Sequence, residues 1–110
     1  MKPPFPKINR RVFEFIRNLD PNPKDVRPVT FWFYSKSELN IYRLASHLQN
    51  AGYRIVTCEQ FINGEYLCIA ELNMPPDNDR INRLCIDMHL LAERMQVTFD
   101  GWETEMKIEH

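Results

Sequence analysis

The residues in this chain that could do chemistry are plentiful but not gathered. Carboxylates stand at Asp77, Asp79, Asp87, Glu93, Asp100, Glu103 and Glu105. General acid–base catalysis needs two carboxyl groups held in one cleft with separated pKa values. These fall at helix caps, helix faces and strand ends, where they read as capping and solvating groups. Cys85 and His89 are four residues apart on a predicted helix, a spacing that two metal ligands can share. Cys85 belongs to that helix's apolar stripe, however, and no third ligand lies within motif distance, so the pair reads as a core thiol beside a surface histidine. His47 sits between Ser46 and Leu48 and has no acid or nucleophile partner visible in the sequence. Three isolated glycines cannot form a phosphate-cradling loop, and no GxSxG motif occurs. The chain reads as a non-enzyme without metal or cofactor.

Recognition chemistry is better represented. "VTFWFY" (Val29 to Tyr34) alternates so that Val29, Phe31 and Phe33 share one face of a strand and Thr30, Trp32 and Tyr34 the other. Trp32 and Tyr34 are therefore candidate partner-binding residues, together with Asp100 and Trp102 from "TFDGWETEM" (Thr98 to Met106). Aromatics on an open sheet face are the means by which RNA-recognition modules stack bases. The third strand of such a module carries further rings, and here the matching stretch reads "NGEYLCIAE", with Glu65 and Leu67 in their place. Fourteen Lys and Arg against fifteen Asp and Glu give a net charge of −1, which argues against broad binding to phosphate backbones. RNA binding is the weaker reading of these rings and cover by the N-terminal helix the preferred one; as a function, a protein partner is preferred and RNA the alternative.

The elements that must position these residues follow from periodicity. Prolines 3, 4 and 6 make an extended arm, and Ile8, Val12, Phe15, Ile16 and Leu19 recur at helical spacing within 7–19. "DPNPKDVRP" (Asp20 to Pro28) is a proline-rich loop. Strand Val29–Tyr34 leads into a helix with Ser35 as N-cap and Glu38 reaching back in a capping box. That helix buries Ile41, Leu44, Ala45 and Leu48 and ends at Gly52 in a left-handed conformation, just before Tyr53. Strands over 53–62 and 65–74 flank Asn63-Gly64, a strong hairpin signal. Asp77 or Asp79 caps a long helix with the stripe Ile81, Leu84, Cys85, Met88, Ala92 and Met95. Val97 to Met106 is the last strand.

The resulting order, a helix followed by β-α-β-β-α-β, is the ferredoxin-like arrangement. It predicts an α+β domain whose four antiparallel strands lie in order 4-1-3-2, with both main helices on one face. Residues 1–28 form an arm, helix and loop packed on the ferredoxin-like domain of 29–110, one domain overall by length. Cys58, Cys68 and Cys85 are odd in number and lack CxxC spacing, as expected of reduced thiols in the cytoplasm. No apolar run approaches the ~18 residues of a membrane span, and the first residues lack a secretory signal's apolar core. Gly101 is expected to serve a bulge or a close backbone approach, and Trp102 to cover a hydrophobic edge.

"LLAERMQVTFDGWETEM" and "NLDPNPKDVRPVTFWFYSKSELNIYRLASHLQNAGYRI" carry a further signal in their order. A helix ending Leu-Ala-Glu, a short strand, Asp100-Gly101-Trp102, and an earlier helix ending in Gly52-Tyr53 together resemble the regulator of ribonuclease activity B family. The resemblance spans roughly Val12 to Met106. It implies the same ferredoxin-like fold and a non-catalytic activity. The family inhibits the endoribonuclease that nucleates the bacterial RNA degradosome, by binding that enzyme's scaffold region. One departure bears on the partner: the family's inhibitor is strongly acidic with a long acidic tail, and this sequence is nearly neutral.

Overall fold

The computed structural model describes residues 25–60, 62–75 and 77–104. The expected helix over 7–19 lies outside the described residues, as does most of the proline-rich loop. The elements are β1 (Arg27–Ser35), α1 (Glu38–Asn50), β2 (Arg54–Gln60), β3 (Tyr66–Met74), α2 (Asn78–Met95) and β4 (Thr98–Thr104), with a short 3-10 turn at Ile62–Gly64. The strands form one antiparallel sheet in the order β2-β3-β1-β4, the expected 4-1-3-2 read from the other edge.

Alternation in β1 organises the domain. Val29, Phe31 and Phe33 are fully buried, and the residues between them are half-buried. They form one cluster with Ile41, Leu44, Ala45 and Leu48 of α1, Ile81, Cys85, Met88, Leu91 and Ala92 of α2, and Cys68, Ala70 and Met74 of β3. Both helices thus cover one face of the sheet. Burying a Phe or Leu side chain completely contributes roughly 1.5–3 kcal/mol, so this layer supplies most of the driving force. The α2 stripe differs from expectation at three positions. Leu91 is buried in it, whereas Leu84 and Met95 pack only partly against the cluster.

Local details correct several expectations. The N-cap of α1 is Ser37, not Ser35: the Asn40 amide donates to Ser37 Oγ at 3.2 Å. Ser35 Oγ instead accepts from the Ser37 amide at 3.0 Å, turning the chain into the helix. The cap of α2 is Asp77, whose carboxylate accepts from the Arg80 amide at 2.9 Å. β1 begins at Arg27 and includes Pro28, which sits next to the strand's first residue, where a missing N–H is tolerated. Asn63 and Gly64 do have positive φ, 63° and 75°. They lie in the 3-10 turn Ile62–Gly64, and the last pair is Gln60↔Tyr66, so pairing does not run up to a two-residue turn at Asn63-Gly64. The last strand is described to Thr104; Glu105 and Met106 lie outside the described residues.

Both helices end through a left-handed residue. Gly52 has φ 100°, with the Tyr53 amide donating to the Leu48 carbonyl at 3.0 Å. Gln96 takes the same role for α2 at φ 59°, with the Val97 amide donating to the Ala92 carbonyl at 2.9 Å.

Candidate interaction face

The register builds the second face of the sheet row by row. Residues directly opposite one another across antiparallel strands point to the same side. Trp32 stands opposite Ile69 on one flank and Gly101 on the other; Tyr34 stands opposite Leu67 and Thr98; Thr30 stands opposite Glu71 and Glu103. β2 adds Thr57 beside Ile69, Glu59 beside Leu67, and Arg54 beside Glu71. An apolar ridge of Trp32, Tyr34, Leu67 and Ile69 therefore runs across the face turned away from the helices. Leu67 is only 5% exposed although it does not belong to the core cluster.

β4 breaks step beside this ridge. Trp32 pairs with Gly101 and Phe33 with Phe99, so Asp100 is an extra residue opposite none. This is a β-bulge, and Gly101 at φ 122° supplies a backbone conformation that L side chains rarely adopt. A Cβ built on Gly101 would meet nothing within 4 Å. The glycine is there for its dihedral, and the expected close backbone approach is not found. Downstream of the bulge, Trp102 stands opposite Phe31 and packs partly against the core.

A shallow cavity of about 280 Å³ opens at the bulge, lined by Trp32, Tyr34, Asp100, Trp102 and Glu103. The four residues singled out from sequence thus converge at one place, and Glu103 joins them. The Trp32 indole N–H donates to Thr30 Oγ1 at 3.2 Å, and Thr30 Oγ1 makes a longer contact of 3.4 Å with the Glu103 carbonyl. These contacts fix the ring against β4. Burial raises the Tyr34 phenol above its ordinary pKa, and the negative charges of Asp100 and Glu65 push it further the same way. Tyr34 is therefore a neutral hydroxyl at physiological pH.

Charge on this face is one-sided. Residues 25–104 hold eleven acidic against seven basic side chains, although the whole chain is nearly neutral. Glu59, Glu65, Glu71, Asp100 and Glu103 surround the ridge. Among the described strand residues the cation on this side is Arg54, which pairs with Glu71 at 3.1 Å. Sequence reasoning placed Glu65 and Leu67 on this face and missed Glu59, Ile69 and Glu71. The alternation in "EYLCIAELN" was the available signal, but it needs the β1–β3 register before it points anywhere.

The remaining candidates lie elsewhere. Tyr53 meets Phe31 edge-on at 6.0 Å on the helix side, and Gly52, Asn63 and Gly64 shape chain reversals. His47 lines a groove of about 570 Å³ with Asn40, Arg43, Arg94, Met95 and Gln96, which among the described residues brings together no acid or nucleophile. Cys85 is buried, and His89 pairs with Glu93 at 3.1 Å one turn along α2. Among the described residues no group of three or more His, Cys, Asp and Glu could hold a metal ion, and no helix is long and apolar enough to cross a membrane.

Against known proteins, the sequence matches the regulator of ribonuclease activity B family over residues 7–104. The chain belongs to that family. The match covers the whole sheet, both helices and the Asp100 bulge. No individually curated protein matches it at a significant level. Membership in the regulator of ribonuclease activity B family makes this a regulator of ribonuclease activity by class, built on a four-stranded antiparallel sheet with both described helices on one face.

Proposed function

We propose that the chain is a non-catalytic regulator of RNA decay in the bacterial cytoplasm. It acts by binding a protein partner, the scaffold region of the degradosome endoribonuclease, and so changes what that enzyme cleaves. The observation that carries this reading is the family match across residues 7–104. The open face supports protein rather than RNA as the partner. Trp32 and Tyr34 could stack bases, but the carboxylates around them would repel phosphates.

A reconstituted cleavage assay tests the reading. The purified chain, titrated into the full-length endoribonuclease, should alter cleavage of a structured RNA. It should leave untouched an enzyme lacking its scaffold region. Equal effects on both enzymes, or RNA cleavage by the chain alone, would sink the proposal.

A further inference from the structure

The cavity beside the Asp100 bulge combines three features that suit one kind of ligand group. It is lined by the aromatic residues Trp32, Tyr34 and Trp102 and by the acidic residues Asp100 and Glu103, and among the described residues no cation lines it. Neither carboxylate makes an ion pair with a described residue, whereas Glu71, in the next row of the same face, is neutralised by Arg54. A planar guanidinium stacks on aromatic faces and bonds a carboxylate through two parallel N–H groups. Tryptophan is the best ring for holding a cation, and the Trp32 indole is already oriented by Thr30. An ammonium could satisfy the charge but not the stacking plane. A phosphate or a carboxylate would meet like charge on every side.

We propose that the open face of the sheet is a docking surface for a basic protein segment, and that the Trp32–Tyr34–Asp100–Glu103 cavity takes an arginine side chain from it. Half-buried Ile69, beside Trp32, receives one of the segment's neighbouring side chains, and Glu59 and Glu65 extend the field that attracts it. The bulge helps make the socket, because the unpaired Asp100 lines the same cavity as Tyr34 and its charge reaches the phenol. This rests on the protein-binding reading above and adds the surface and the chemistry of the group it holds.

The test uses the full chain, labelled with nitrogen-15, whose two tryptophans both line the cavity. A flexible peptide of about twelve residues bearing spaced arginines is titrated in, followed by versions with lysine and with neutral citrulline. The two indole N–H resonances should shift most with arginine, less with lysine and hardly at all with citrulline. Glu103→Gln and Asp100→Asn should each weaken arginine-peptide binding about tenfold, the loss expected for one charge-assisted contact. Asp100 shapes the bulge, so the exposed Glu103→Gln variant keeps the test valid if Asp100→Asn disturbs folding. Equal shifts with arginine and citrulline peptides, or single-stranded RNA moving the same resonances more strongly, would overturn the proposal. A parallel pull-down of the endoribonuclease separates the two readings. Capture that survives Glu103→Gln unchanged defeats the socket and leaves the regulator standing. Arginine-peptide binding without nuclease capture does the reverse.

Discussion

Two faces of one sheet use the same residue types for opposite ends. On the helix side, Phe31 and Phe33 are fully buried, and their rings approach Phe99 at 6.3 and 5.2 Å. On the other side, Trp32 and Tyr34 are half-buried among carboxylates. The two pairs alternate along β1, so one run of six residues contributes to both faces. Aromatic content alone therefore says little about role. What separates a core ring from a recognition ring is the company brought by register: aliphatic helix residues on one side, Glu59, Glu65, Glu71, Asp100 and Glu103 on the other.

The sharpest way to break this comparison is to truncate neighbouring rings. Phe33→Ala should cost about 3–5 kcal/mol in urea unfolding, while Trp32→Ala should cost under about 1 kcal/mol and abolish the indole response to arginine peptide. Equal losses of stability would mean the second face is also core.

Alkaline pH should weaken the covered face next. Burial pushes the Cys68 thiol up to about 12 from its ordinary 9.0, with nearby Cys58 adding to the shift. The folded state therefore holds this proton more tightly than the unfolded state. Its contribution is complete below pH 9.0 and is lost as pH rises toward about 12. Stability should fall on the order of 2 kcal/mol by about pH 10.5, and Cys68→Ala should flatten that slope. The Tyr34 and Tyr53 phenols shift in the same direction and account for a remaining slope.

The bulge joins the two faces, and Gly101→Ala probes it. With open space around the added Cβ, the cost comes from φ 122° alone, about 1 kcal/mol or more. Arginine-peptide affinity should fall with it, because relaxing the bulge moves Asp100. The smallest effect should come from the helix layer's own strained terminus. Gln96 occupies a left-handed conformation that Gly52 occupies without penalty, so Gln96→Gly should raise stability by about 0.5–1 kcal/mol. Peptide binding should not change.

These contrasts also mark how far the sequence could be read. The alternation of "VTFWFY" and the helical stripes were legible because burial imposes a period of two or of 3.6 residues. Strand order followed from crossover rules. The N-cap was misassigned because Ser35-x-x-Glu38 and Ser37-x-x-Asn40 overlap by two residues, and local pattern does not choose between them. Asn63-Gly64 located a reversal, but strand ends depend on where pairing stops. Trp32, Tyr34, Asp100 and Trp102 were visible as residue types. Their convergence was not, since Asp100 reaches the cavity only through a one-residue slip in pairing. The acidic surround was hidden for the same reason: Glu59, Glu65 and Glu71 become neighbours of Trp32 and Tyr34 only in register, while the nearly neutral total conceals the imbalance of residues 25–104.

That slip has a counterpart on the far side of the sheet. β1 and β3 pair over nine residues without interruption, whereas both outer strands carry an extra residue, Asp100 in β4 and Val56 in β2. An outer strand with an even ladder is a template on which another chain can add a strand, and a bulge spoils that template by bending and twisting it. The sheet is therefore closed to sideways growth at both borders. It stays four strands wide when other extended chains are near, and a visitor has reason to lie across its surface rather than lengthen it.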